Sequence, residues 1–242
     1  MIESRVHIVS LLMLIPVLAF SQINSRNNNL GEGYVGVGVD MGITQFFGDI
    51  DEDPAPGGLL QNNLALRISA SKSFASLFVL GGQVLTGRVS GEKKRVRSHL
   101  YFNASFTEYS FFTEFNLFGI FTKSVNRKFN VYANVGLGLI DFKTKLYDGI
   151  NDSVVKTRGY DGQKNTTESV IPFGLRADYH INDRFVINGL LSSRKINTDK
   201  LDGVSGNNNT DYFGYYSLGV IYKFYPGSNR AYARPRNGRR GR

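Results

Sequence analysis

Ser217-Leu218-Gly219-Val220-Ile221-Tyr222-Lys223-Phe224 closes the last apolar segment of the chain, and its alternation decides the fold. Successive side chains of a strand point to opposite faces. With the residues just before it, this stretch places Tyr212, Tyr216, Leu218, Val220, Tyr222 and Phe224 on one face, and Ser217, Gly219 and Lys223 on the other. The first face is an apolar stripe bearing aromatics and suits lipid. The second is small and polar and suits a narrow wet lumen.

Seven further segments show the same period of two: Tyr34 to Ile43, Leu64 to Ser73, Leu77 to about Arg88, Thr107 to Ile120, Phe129 to Phe142, Ser169 to Tyr179 and Arg184 to Arg194. In the fourth strand Tyr109, Phe111, Thr113, Phe115 and Leu117 oppose Glu108, Ser110, Phe112, Glu114 and Asn116. Connections alternate in length. Short ones fall near Phe74-Ala75-Ser76, over Thr122 to Lys128 and at Asn182-Asp183, and long polar ones over 44–63, 89–106, 143–168 and 195–211. Short turns on one side and long loops on the other belong to a membrane barrel, and a tilted strand of about 9–11 residues crosses the bilayer. The fold class is therefore all-β, a closed antiparallel transmembrane β-barrel of eight strands, or ten if an extra hairpin forms within 89–106 or 143–168.

The front of the chain points to export. Arg5 and His7 precede a run of 13 residues from Ile8 to Phe20, and Ala19-Phe20-Ser21 offers a cleavage site before Gln22. The run is too short for a membrane-spanning helix and fits a signal peptide over residues 1–21. Residues 22–225 then form the barrel. The spacing of Ser217, Gly219, Tyr222 and Phe224 resembles the C-terminal signal by which bacterial outer-membrane barrels are recognised and inserted. It implies the barrel assembly machinery and outer-membrane lipid as partners and a bacterial outer-membrane location, and an even strand number is expected to put both termini in the periplasm. The chain has no cysteine, which rules out disulfides and thiolate metal sites.

The formal charge of +9 is unevenly spread. Arg230, Arg234, Arg236, Arg239, Arg240 and Arg242 lie in an acid-free tail and account for six of those charges, leaving +3 for the rest. The folded part is close to neutral, and no nucleic-acid partner is expected. Residues 226–242 follow a Pro-Gly stop, lack apolar periodicity and are expected to form a disordered basic periplasmic tail able to dock an anionic partner.

With about eight strands the interior is wide enough only for side chains. Asp40, Arg67, Glu108, Glu114, Arg176 and Arg194 fall on inward positions. Their mixed signs favour a plugged lumen crossed by salt bridges, whereas an ion path would need a wider barrel or a lining of one sign. No catalytic, cofactor or metal residue is expected. Gly31-Glu32-Gly33-Tyr34-Val35-Gly36 matches a dinucleotide fingerprint in letters, but it leads into a strand with no helix behind it. His99 and His180 fall at opposite ends of the barrel, and Asp49, Asp51, Glu52 and Asp53 lack calcium-loop spacing.

Two segments carry a family resemblance. Gly42-Ile43-Thr44-Gln45-Phe46-Phe47-Gly48-Asp49-Ile50 follows the first strand, and Arg97-Ser98-His99-Leu100-Tyr101-Phe102 leads through Glu108 to Glu114-Phe115-Asn116. Together they resemble a family of small Bacteroidota outer-membrane barrels that includes the PorG component of the type IX secretion system. The resemblance covers residues 32–224. It implies a non-enzymatic structural or assembly barrel for protein secretion that docks with periplasmic secretion-ring lipoproteins. A surface-exposed adhesin or receptor barrel and a small passive pore are the alternatives.

Overall fold

A computed structural model describes residues 33–47, 63–74, 77–95, 98–121, 128–159, 166–197, 201 and 211–225. Nine strands make up most of it: β1 Val35–Phe47, β2 Leu64–Phe74, β3 Phe78–Arg95, β4 Ser98–Asn116, β5 Phe129–Asp148, β6 Ser153–Arg158, β7 Thr167–His180, β8 Phe185–Ile196 and β9 Asp211–Phe224. A short helix, α1, spans Leu117–Phe121. The sheet runs β4-β3-β2-β1-β9-β8-β7-β5 and β4 pairs again with β5, so eight antiparallel strands close into a barrel. The closing seam pairs β1 with β9 from Val35–Phe224 to Phe47–Tyr212. The segments 1–21 and 226–242, including the six tail arginines, lie outside the described residues, as do Asp49, Asp51, Glu52 and Asp53.

The polarity of the two barrel faces reverses along its height. Near the short turns, the outer face carries Val39, Ile68, Phe111 and Phe173, and Leu137 and Leu218 are 68% and 73% exposed. In water this would be a very large apolar patch; in lipid it is the favourable surface. Phe78, Phe115, Phe129, Tyr179, Phe185 and Phe224 ring its turn-side edge, where aromatics favour the headgroup region. Further along the same strands, the outward residues become Arg88, Asn103, Ser105, Asp141, Lys143 and Lys195, all exposed. There the inward residues become apolar, with Phe46, Val89, Phe102, Phe106, Phe142 and Phe213 forming a buried cluster. The backbone alternation never changes. What changes is the medium outside, from lipid to water, so the apolar residues move to the inner face.

This reversal corrects the expected boundaries. β3 extends past Arg88 to Arg95, β4 begins at Ser98 rather than Thr107, and β5 continues past Phe142 to Asp148. The loop expected over 89–106 is mostly hairpin. An extra strand, β6, does form within 143–168, but among the described residues it pairs with β5 alone, and the ring remains eight-stranded. β3, β4 and β5 have 18, 19 and 20 residues, enough to project roughly 20 Å beyond the lipid. At the other end, Leu117–Ile120 are helical rather than the end of a strand. Asn116 Oδ1 accepts from the Gly119 N–H at 3.1 Å and its amide donates to Asn130 Oδ1 at 3.2 Å, which turns the chain out of β4.

Candidate functional site

Strand alternation aims the polar side chains of the lipid-embedded part inward, and they join into two networks. Arg67 Nε and Nη2 each lie 2.9 Å from Asp40 Oδ2, directly across the β1–β2 rung. Arg67 Nη1 donates to Gln83 Oε1 at 2.9 Å, and Gln83 Nε2 donates to Glu108 Oε1 at 3.2 Å and Ser110 Oγ at 3.0 Å. Arg194 Nε donates to Glu108 Oε2 at 2.9 Å. One polar chain thus crosses the lumen from β1 through β2, β3 and β4 to β8. In the second network Arg176 Nη2 lies 3.0 Å from Glu114 Oε2, and its Nε lies 3.1 Å from Asp178 Oδ1. These last contacts are ionic without hydrogen-bond alignment. The Arg176 guanidinium also lies 4.6 Å from the centroid of the Tyr132 ring.

Among the described residues, side chains fill both ends of the lumen. At the turn side Lys223 Nζ lies 4.2 Å from the Tyr34 ring centroid and 3.3 Å from His180 Nε2. At the other side Phe46 packs edge-on against Phe102 at 4.9 Å, and Phe106 meets Phe213 at 4.9 Å. The Arg194 guanidinium sits 5.0 Å from the Tyr215 ring, between the polar and apolar layers. Leu201 is buried over the top, its N–H bonded to Asp211 Oδ2 at 2.9 Å and its carbonyl accepting from Thr144 Oγ1 at 2.8 Å. Among the described residues, Arg67, Gln83, Glu114, Asn134, Ser192 and Arg194 line a cavity of about 10 Å³, room for about one water. Purified protein in planar bilayers is therefore expected to show no stable large conductance. Steady openings of one large size would refute the closed lumen.

The structure brings the six inward charges together as three pairs, Asp40–Arg67, Glu108–Arg194 and Glu114–Arg176. The network expected from the sequence did not include Asp178, Gln83, Ser110 or Lys223, although alternation had already placed Ser110 and Lys223 on the inward face. Alternation had put Asp178 on the inward face beside Arg176, two residues away, without joining it to the network. Ser217 and Gly219 line the lumen, whereas Tyr222 and Phe224 point outward and stack edge-on at 4.6 Å. A Cβ on Gly219 would stand 2.3 Å from Asp40 Oδ1, so the glycine makes room for the Asp40–Arg67 pair. The two segments that carried the family resemblance meet inside the barrel: Phe46 belongs to one, and Phe102, Glu108 and Glu114 to the other. His180 sits at the turn-side mouth; of His99 only the backbone is described, in β4. Among the described residues no group of three or more acidic, His or Cys side chains could hold a metal. On the projecting hairpin, outside the lipid, Tyr101 donates to the Asp152 carboxylate, and that bond pushes its phenol up to about 12.

A closed eight-stranded ring with a lipid-compatible belt and a filled interior defines a small transmembrane β-barrel. The chain belongs to the family described as Domain of unknown function (DUF6089), which it matches over residues 5–221. No curated protein matches its sequence. Similar solved structures include Ail of Yersinia pestis in complex with the heparin analogue sucrose octasulfate, at 17% identity over 80% of this chain and 100% of that one, TM-score 0.46. Neisserial surface protein A is similar at 14% identity over 79% of this chain and 97% of that one, TM-score 0.40. OprG of Pseudomonas aeruginosa is similar at 15% identity over 84% of this chain and 100% of that one, TM-score 0.36.

Proposed function

We propose that the protein is a non-enzymatic outer-membrane barrel that serves as a structural or assembly component of the type IX secretion system. The filled lumen carries this reading. A barrel whose interior is packed with ion pairs and capped by an apolar cluster works through its outer surfaces, not as a conduit or a substrate pocket. The motif resemblance supplies the secretion system. In this reading, residues 1–21 direct export, Ser217, Gly219, Tyr222 and Phe224 guide insertion, and both termini face the periplasm. The tail bearing Arg230, Arg234, Arg236, Arg239, Arg240 and Arg242 docks the acidic face of a periplasmic ring lipoprotein. The adhesin or receptor reading draws support from the β3–β4–β5 projection, which would carry contacts away from the membrane surface.

Crosslinking in cells, with the full chain and with a chain lacking residues 227–242, tests the proposal. The full chain is expected in the outer-membrane fraction with heat-modifiable mobility, crosslinked to a periplasmic lipoprotein. The shortened chain is expected to insert but to lose that crosslink, and the full chain's crosslink is expected to weaken as salt rises. Unchanged crosslinks and secretion after the deletion would defeat the docking role. A soluble periplasmic chain with no mobility shift would defeat the membrane reading altogether.

A further inference from the structure

We propose that the outward face of β3, β4 and β5, just above the apolar belt, binds the phosphate-bearing headgroup of an outer-leaflet glycolipid. The inference rests on the outer-membrane part of the reading above, not on the secretion role.

Strand register puts the face in order. Val84, Tyr109 and Leu139 form the last apolar outward rung across the three strands. Thr86, Thr107 and Asp141 form the next, with the two threonine hydroxyls 3.3 Å apart. Above them Arg88, Ser105 and Lys143 share one rung, and Ser90, Asn103 and Lys145 the one after. From lipid to water the face therefore presents apolar, hydroxyl, cationic and amide groups. A phosphorylated glycolipid presents its parts in the matching order: acyl chains, phosphate, then sugar hydroxyls.

The spacing also fits. Strands lie about 4.8 Å apart, so the Arg88 and Lys143 backbones stand about 10 Å from each other with Ser105 between them. Two long cationic side chains at that separation can close on one phosphate, Arg88 through its planar fork. Lys143 and Lys145 also interact with protein neighbours, so a headgroup would share them. Asp141, one rung below Lys143, and Glu92, two rungs above Arg88, are the nearest outward acids on these strands. Thr166 Oγ1, which donates to the Phe142 carbonyl, lies 3.4 Å from Asp141 Oδ1. Arg88, Lys143 and Lys145 leave the face net cationic at the height where lipid phosphates lie.

Native mass spectrometry of the full chain in detergent, loaded with bisphosphorylated lipid A or with the same lipid dephosphorylated, tests the site. The wild type is expected to retain the phosphorylated lipid in preference. The double variant Arg88→Ser/Lys143→Ser is expected to retain about tenfold less of it, with no change for the dephosphorylated lipid. Both proteins should keep their heat-modifiable folded band, since both side chains are exposed. Equal retention by wild type and variant, or of the two lipids by the wild type, overturns the site. Binding of inorganic phosphate alone as tightly as lipid A overturns the lipid as ligand. A folded barrel recovered from the inner membrane defeats the membrane assignment instead, and loss of lipoprotein crosslinks with lipid retention intact bears only on the secretion role.

Discussion

Replacing Glu108 with leucine is expected to lower the unfolding free energy of the barrel by about 3–5 kcal/mol. Glu108 is fully buried and accepts from Arg194, Gln83 and Ser110 at 2.9, 3.2 and 2.6 Å. Leucine would strand the Arg194 guanidinium, itself fully buried, beside the Tyr215 ring with no carboxylate. The cost is that of a buried charge without its partner rather than of one lost hydrogen bond. The double variant Glu108→Leu/Arg194→Leu is expected to recover most of the loss, because both desolvation penalties vanish and the leucines join the apolar cluster above. Urea unfolding from lipid vesicles reports the difference through tyrosine fluorescence, since the chain has 13 Tyr and no Trp. Equal losses in the single and double variants would show that packing at 108, not pairing, holds this layer.

Gly219→Val is expected to prevent the barrel from closing. Gly219 pairs with Asp40 on the β1–β9 seam. A Cβ there would lie 2.3 Å from Asp40 Oδ1 and 2.6 Å from the Val39 carbonyl oxygen, which is backbone and cannot swing away. Ordinary core overpacking costs about 1–3 kcal/mol; here the intrusion falls on the ion pair and the ring closure together. Phe224→Ala should behave differently. Phe224 points outward into the belt, half exposed, so its loss should slow assembly in cells while leaving the folded barrel intact. Refolding into vesicles without assembly machinery separates the two roles: Phe224→Ala should yield the fast-migrating folded band and Gly219→Val should not. Wild-type refolding of Gly219→Val would leave the glycine with a signalling role only.

All eight ring strands were legible in place because lipid outside and a polar lumen inside impose opposite chemistry on alternate residues, as along Tyr109 to Phe115. The faces of the lumen charges were legible for the same reason, since parity alone decides whether Glu114 or Arg176 points inward. The β4 segment from Ser98 to Phe106 was not. There Phe102, Ala104 and Phe106 keep the period of two but in the opposite phase, and a stripe facing water outside looks like a loop when lipid is assumed. β6 was legible only as an optional hairpin, because pairing on one side places no apolar demand on its six residues. The sequence by itself determined the class of fold and the inward facing of the six lumen charges, because these follow from local alternation and turn length, while the choice between eight strands and ten waited for the ring closure of β4 on β5. Which carboxylate meets which arginine, the seam where Asp40 fills the space over Gly219, and the apolar cap of Phe46, Phe102 and Phe213 were decided only by the tertiary structure. They depend on how far each strand slides against its neighbour, and that stagger is set by closing the whole ring at once rather than by any one segment.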